Sequence, residues 1–361
     1  MRPRDSWQWN VALVGASSLK GKEVKSVFEE RGFPLGRLAL LDAEEMRGRL
    51  TEFDGEPVIV QPVRRENFED TDLALFACAP SYTEQHWQEA EEAGCRIVDW
   101  SYFLEAHPAA RLRAPLVEPL WDDAATTDHL QPAPSRIAVP AHPAALAIAG
   151  MMALLSRRFF VASAAISIFE PVSEHGRAGV DELHRQTVNL LSFQEPRSQV
   201  FDSQVAFNLL SRYGEESRPA LRETQERIAS HLRRLLDGRA VQPALRLLQA
   251  PVFHGYCFSC FVELAQSVPV VEIEAALDHK PFCLSRDGDP QPNVVGAAGL
   301  NEILLGAIEG DSACETGYWI WGALDNLRVA ALNVELIAEE MIRLEGSQRN
   351  QSAKAGPTEV S

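Results

Sequence analysis

The stretch Trp9–Val24, WNVALVGASSLKGKEV, decides how the rest of the chain is read. Its first six residues are mostly apolar. They run into a turn bounded by Gly15 and Gly21, and GKEVKSVFEER then continues with helical spacing. A buried strand passing through a glycine turn into a helix opens a βαβ unit. Free backbone N–H groups at such a helix start point toward an anion. The turn has the form GxxxxxG and lacks a middle glycine. Gly15, Ser17, Ser18, Leu19 and Gly21 therefore predict either a phosphate cradle or a tight strand–helix turn with no nucleotide.

Outward from this stretch the same alternation recurs. RLALLDA, PVIVQPV, DLALFACA and CRIVDWS read as strands, and HWQEAEEAG reads as a helix. Short apolar runs alternating with helices predict an α/β fold with a doubly wound parallel sheet over residues 1–135. Such sheets bind ligands outside the carboxyl ends of their strands. The second strand ends in Leu41-Asp42-Ala43-Glu44-Glu45. An acid there accepts from a ribose 2′-hydroxyl and repels a 2′-phosphate, so Asp42 and Glu44 favour NAD over NADP. Arg47 and Arg49 lie close enough in sequence to soften that preference.

A proline-rich stretch, residues 130–146, marks a boundary. Beyond it a helix is expected over Ala144–Arg157, strands over Ala164–Glu170 and Ala250–Leu264, and a glycine-containing turn over Ser173–Gly179. This second region, 136–324, reads as α+β. A last helix is expected over 325–345. Residues 346–361 are polar and predict a disordered tail.

The chain has 361 residues, 46% of them apolar and 24% charged, with 34 basic and 51 acidic side chains and a formal charge of −17. That balance argues against general nucleic-acid or anionic-membrane binding, which need a positive surface. The longest apolar run, Ala144–Leu155, is too short for the roughly 20 residues of a membrane span. The N-terminal run reads as a first strand rather than a secretion signal. Six cysteines are too few for a disulfide scaffold, so a reducing, cytoplasmic setting is expected. Cys257 and Cys260 form a CxxC without a second pair, which favours a structural role over zinc. Trp319 and Trp321 alternate in GYWIWGALDN and read as core or interface residues.

Several motifs together resemble the aspartate-semialdehyde dehydrogenase family. They are VALVGASSLKGKEV, RGFPLGRLALLDA, FEDTDLALFACAP, GCRIVDWS, PVSEHGRAGVDEL, RETQERI, PVFHGYCFSCFVEL and ALDNLRVAALNVELIAE. They follow in order over residues 8 to about 345, and the pattern looks like a divergent, Usg-type member. The resemblance implies a Rossmann-like domain completed by the last helix, and an inserted domain with a mixed sheet used for homodimerisation. It also implies a reversible, NADP-dependent conversion of aspartyl phosphate to the semialdehyde in amino-acid biosynthesis. That reaction proceeds through a cysteine thioester and a hydride transfer.

The departures fall at the chemistry. The run resembling the family's N-P-N-C-S-T is Val139-Pro140-Ala141-His142-Pro143-Ala144, so His142 stands at the nucleophile position. Imidazole cannot form the thioester from which hydride leaves, and at a helix start it is expected to be neutral. Glu170 stands for the family glutamine, and Tyr256 for its acid/base histidine. Gln249 and Leu104 stand for arginines that bind the substrate's anionic groups, and Pro219 stands for a lysine. Glu216 is retained. The cofactor loop reads Ser173-Glu174-His175-Gly176, which sets a carboxylate where nicotinamide or phosphate would approach, and Asn326 is retained.

Three readings follow. The fold persists without the dehydrogenase activity, with NAD or NADP bound weakly or not at all, and the protein binds an unidentified small molecule or protein. Alternatively His142, Glu170, His175 and Tyr256, joined by His254 through strand parity, face one cavity as a new proton-transfer or metal site. Polar residues left in a disused cleft are the plain version of that alternative. The third reading is a working aspartate-semialdehyde dehydrogenase.

Overall fold

A computed structural model describes residues 8–121, 135–286 and 288–354 of the protein. These residues form two compact units: 8–115, 135–140 and 331–354 in the first, and 116–121 with 141–330 in the second.

The first unit is a sheet of seven strands among the described residues: β1 (Trp9–Val14), β2 (Leu35–Asp42), β5 (Gln61–Pro62), β6 (Leu73–Phe76), β7 (Arg96–Asp99), β8 (Ala110–Arg113) and β9 (Ile137–Pro140). They lie in the order β5-β2-β1-β6-β7-β9-β8, and every neighbouring pair is parallel. Val11–Val14 and Leu73–Phe76 are fully buried, as strands covered on both faces must be. Two helices of this unit are α1 (Leu19–Arg31) and α2 (Pro80–Glu92). At the start of α1 the Ser18 hydroxyl accepts from Gly21 N–H at 2.8 Å. Gly32, left-handed at φ 64°, ends it, and Phe33 stacks on Phe28 at 4.2 Å between ring centres.

The expected strand PVIVQPV is divided. Its first part becomes β4 (Glu56–Ile59), which pairs with β3 (Leu50–Phe53) in a separate hairpin. Its second part is the two-residue edge strand β5, where Pro62 has no N–H to offer a further neighbour. β9 lies inside the stretch that the sequence marks as a boundary. It pairs with β7 and β8, so the division between units falls after Pro140 rather than at residue 135. Residues 130–134 of that stretch lie outside the described residues.

The second unit holds a mixed sheet in the order β11-β10-β12-β16-β14-β13. Its strands are β10 (Val161–Glu170), β11 (Ala244–Gln249), β12 (Tyr256–Leu264), β13 (Phe282–Leu284), β14 (Ile303–Leu305) and β16 (Gly317–Leu324), with β15 (Glu309–Gly310) paired to β16. Its helices are α3 (Pro143–Arg158), α4 (Gly176–Leu191), α5 (Leu221–Leu236), α6 (Val270–Leu277) and α7 (Val294–Ala297). α3 is buried from Pro143 through Leu155, as an all-apolar helix requires. The faces of the sheet differ. Tyr256, Phe258, Cys260, Val262 and Leu264 are buried, while Cys257, Ser259, Phe261 and Glu263 between them are half-exposed.

Three expectations change here. The strand expected from Ala250 begins at Tyr256, because Pro251 lacks an N–H and Gly255 turns left-handed at φ 86°. The turn expected over Ser173–Gly179 is a 3₁₀ turn, Val172–His175, leading into α4 at Gly176. The last helix, α8, runs Asn326–Lys354. The expected tail is therefore helical through residue 354, and residues 355–361 lie outside the described residues.

Candidate functional site

The site is assembled in the second unit where four segments end. β10 ends at Glu170, and the 3₁₀ turn that follows presents Glu174 and His175 side by side. Gly176, at φ 66°, then starts α4. β12 begins at Tyr256, and α3 begins at Pro143 with His142 as its N-cap.

His142 is completely buried. Its Nδ1 accepts from the Ala144 N–H at 3.3 Å, in the manner of a capping side chain. An accepting Nδ1 leaves the ring proton on Nε2. That atom lies 3.3 Å from Glu174 Oε1 and 3.5 Å from the Tyr256 hydroxyl, which itself donates to Glu174 Oε2 at 3.1 Å. The His142 backbone N–H donates to His231 Nδ1 at 3.0 Å. Burial, followed by the neighbouring His142, pushes His231 down to about 2, so it stays neutral.

A second set lies around Glu170. His175 Nε2 is 2.8 Å from Glu170 Oε1 and 3.1 Å from the Tyr213 hydroxyl. That hydroxyl is shared between Glu170 Oε1, at 3.1 Å, and Gln249 Oε1. The Gln249 amide donates to the carbonyls of Glu170 and Ala250, at 2.9 and 2.6 Å. Burial lowers the His175 pKa, but the hydrogen bond to Glu170 and the charges of Glu170 and Glu174 outweigh it and raise the pKa overall. Burial first, then Glu170, raises the Tyr213 phenol. Glu170 Oε2 is buried and has no hydrogen-bond partner among the described residues.

The four residues expected to face one cavity thus form two networks. His142 and Tyr256 meet at Glu174, whereas Glu170 meets His175, Tyr213 and Gln249. Glu174 turns its carboxylate onto His142 and Tyr256. His254 belongs to neither network. The segment before Tyr256 is irregular, strand parity does not apply to it, and His254 is exposed. Among the described residues no group of three His, Cys, Asp or Glu is arranged to hold a metal ion.

The remaining expected residues are dispersed. Gln249 is buried with both amide hydrogens on backbone carbonyls, so it offers no donor to a substrate. Leu104 is a core residue of the first unit, its N–H held by Asp99 at 2.7 Å. Glu216 is exposed, and its N–H donates to Asp202. The Pro219 carbonyl accepts from Ser217. Ser173 bonds Asn326, which also accepts from Gly255 N–H at 2.9 Å. Cys257 lies on the other face of β12 from Tyr256, and burial pushes its thiol up to about 11. Cys260, at about 12, is deeper still. The sequence motifs single out neither Tyr213 nor His231. His231 had a signal, since it falls on the buried stripe Leu221, Thr224, Ile228, His231, Leu232 and Leu235 of α5.

The glycine turn belongs to the first unit. Gly15 is left-handed at φ 85°, and a Cβ on Gly21 would come within 2.2 Å of the Gly15 carbonyl oxygen. Asp42 accepts from Ser17 N–H at 2.8 Å and Ala43 N–H at 2.9 Å. Two of its roughly four lone-pair positions remain for a ribose hydroxyl. Glu44 is exposed and paired with Arg47 at 3.1 Å. The turn fits a dinucleotide in backbone shape, but Asp42 already holds one of the amides, that of Ser17, that would face a phosphate.

Comparison with known proteins adds the following. The semialdehyde dehydrogenase NAD-binding domain matches residues 10–129, and the dimerisation domain of the same enzymes matches residues 153–329. A USG-1 protein homolog from Azotobacter vinelandii is 33% identical over 341 residues, covering 92% of this chain and 98% of its own. An aspartate-semialdehyde dehydrogenase from Rickettsia bellii is 25% identical, covering 93% and 98%. The structure of a probable aspartate-semialdehyde dehydrogenase from Pseudomonas aeruginosa superposes with a TM-score of 0.82 at 32% identity, covering 93% of this chain and 99% of that one.

Proposed function

Because the chain belongs to the semialdehyde dehydrogenase family, as a Usg-type member, we propose that it keeps the family's framework without the thioester dehydrogenase reaction and works by binding. One observation carries this reading. The α3 N-cap, where the resemblance places a nucleophilic thiol, holds a buried imidazole whose two nitrogens are engaged with Ala144 on one side and with Glu174 and Tyr256 on the other. A thiolate at a helix start attacks a carbonyl and holds the acyl group as a thioester. A capping histidine holds a proton on Nε2 and has no free lone pair for attack. Tyr256, at the acid/base position, is a phenol whose proton is directed to Glu174.

The test is a coupled assay with aspartate semialdehyde, phosphate and either NAD or NADP. Turnover should be absent, on the order of 10⁴-fold or more below a thiol enzyme. Turnover that disappears in His142→Ala would overturn the reading.

A nicotinamide cofactor, when bound, supplies hydride acceptance. In this chain Gly15, Leu19 and Gly21 would form the turn against its phosphates, and Asp42 would accept from the adenine ribose. Asp42 and the Glu44–Arg47 pair support NAD over NADP, because Arg47 already has a carboxylate partner. Calorimetric titration should give tighter binding of NAD than of NADP, with the difference reduced in Asp42→Asn. Equal affinities in the unaltered protein would refute that preference.

A further inference from the structure

The strand order of the first sheet reverses at β1. The chain leaves β1 through α1 to β2 on one side, and β6 lies on the other. In open parallel sheets a nucleotide lies in the crevice outside the carboxyl ends at that reversal. The β2 end of this crevice is open. Asp42 is half-exposed there and keeps lone pairs for a ribose hydroxyl.

The end over β6 and β7 is bridged by the protein's own side chains. Ser18, the N-cap of α1, donates its hydroxyl to the carbonyl of Ala77, the residue after β6, at 2.7 Å. Lys20, in the first turn of α1, donates from Nζ to the carbonyl of Trp100, the residue after β7, at 2.8 Å. Its ammonium stands 5.2 Å from the Trp100 ring centre and 5.0 Å from that of Tyr102. Both rings are buried. The turn that carries them is held by Asp99, which accepts from Ser101 N–H at 2.9 Å and from Leu104 N–H at 2.7 Å. An ammonium set on a carbonyl and two ring faces is held more firmly than a lysine in water. Two side chains of one helical turn thus reach across the crevice, one to each strand. Most amides of the glycine turn are also taken. Gly15 and Ala16 donate to the Leu41 carbonyl, Ser17 to Asp42, Ser18 to the Gly15 carbonyl, and Gly21 to the Ser18 hydroxyl. The Leu19 N–H makes no hydrogen bond among the described residues and remains for a phosphate.

We propose that the first unit binds a nucleoside diphosphate rather than a dinucleotide, with Asp42 on the ribose and Lys20 closing the crevice beyond the diphosphate. The proposal rests on the reading that the glycine turn takes a nucleotide, and it names the ligand class. Lys20 acts in two ways. Its bridge to Trp100 fills the space over β6 and β7 that a second nucleotide half needs. Its ammonium donates to a terminal phosphate and has no acceptor of comparable strength on a nicotinamide ring.

The test is calorimetric titration of the full chain with ADP, NAD and nicotinamide mononucleotide. ADP should bind at least as tightly as NAD, and nicotinamide mononucleotide should show no saturable binding. Lys20→Met should weaken ADP at least tenfold and place NAD ahead of it. Lys22→Met, an exposed lysine of the same helix, should leave both affinities unchanged, and circular dichroism should show both variants folded. Tighter binding of NAD than of ADP by the unaltered protein would overturn the proposal while leaving the ribose site intact, and that comparison needs no variant. Saturable binding of nicotinamide mononucleotide, or an unchanged ratio of the ADP and NAD affinities in Lys20→Met, would overturn it too. Absence of binding by ADP and NAD alike would overturn it together with the nucleotide reading on which it rests.

Discussion

His142 and His231 share one hydrogen bond, and its direction fixes the state of the second ring. The donor is a backbone N–H, so His231 Nδ1 must accept and the imidazole must be neutral. Its pKa of about 2 in the folded protein lies below the ordinary histidine value of 6.5. The unfolded chain therefore binds a proton that the folded chain refuses between pH 6.5 and pH 2. The stabilisation is complete above pH 6.5 and is lost as pH falls, by up to about 1.4 kcal/mol per pH unit from this group. In His231→Gln, whose amide oxygen can accept the same N–H, denaturant unfolding between pH 6.5 and 4.5 should show a shallower loss of stability than the unaltered protein. Parallel curves would contradict the assignment. At this scale the sequence singles out His142, Tyr256, Glu170 and Gln249 through the family resemblance, as candidates for altered positions. It could not pair them, because partners 32 or 82 residues apart, such as Glu174 with His142 and Tyr256, are set by backbone direction at strand ends.

The strand–turn–helix β1-Gly15-α1 was legible from residues because its requirements are local. Gly21 is there for space, since a Cβ would meet the Gly15 carbonyl at 2.2 Å, and that atom is backbone and cannot swing aside. Gly32 is there for conformation, at φ 64° with nothing within 4 Å of a built Cβ. Gly32→Ala should therefore cost about 1–2 kcal/mol, the penalty of a left-handed residue. Gly21→Ala should cost more, through displacement of α1 from β1, and should lower the melting temperature further or prevent soluble folding. Equal melting temperatures for the two variants would show that the close approach is not real. Elements whose limits depend on partners were read less well. β9 is a short strand in a proline-rich stretch, and only β7 and β8 on its two sides reveal it. The segment before Tyr256 is apolar enough to read as strand, yet Pro251 and left-handed Gly255 release it from the sheet and expose His254.

At the scale of the whole molecule, the chain carries the dimerisation domain of its family, which supports a homodimer. The half-exposed face of the second sheet presents Phe169, Phe261, Trp319 and Trp321, with Trp319 at 42% exposure. Phe169 lies 6.1 Å from Trp321, and Phe261 lies 5.1 Å from Trp319, between ring centres. An aromatic patch of this kind on a soluble-type composition marks a protein–protein surface. Sedimentation at micromolar concentration should give a dimer, and Phe261→Glu should shift it toward monomer while the far-ultraviolet spectrum is retained. A monomeric unaltered protein would count against the patch as the dimer surface. Among the described residues no helix is long and apolar enough to cross a membrane, in line with the twelve-residue limit of the longest apolar run. The amino-acid sequence by itself determined the alternating α/β class and the family, because periodicity and residue identity are properties of the chain alone. Tertiary structure decided that the buried polar residues divide into two networks, one at Glu174 and one at Glu170, and that His254 lies outside both. Those facts depend on which distant segments a folded backbone brings within hydrogen-bond reach, and no local rule encodes that distance.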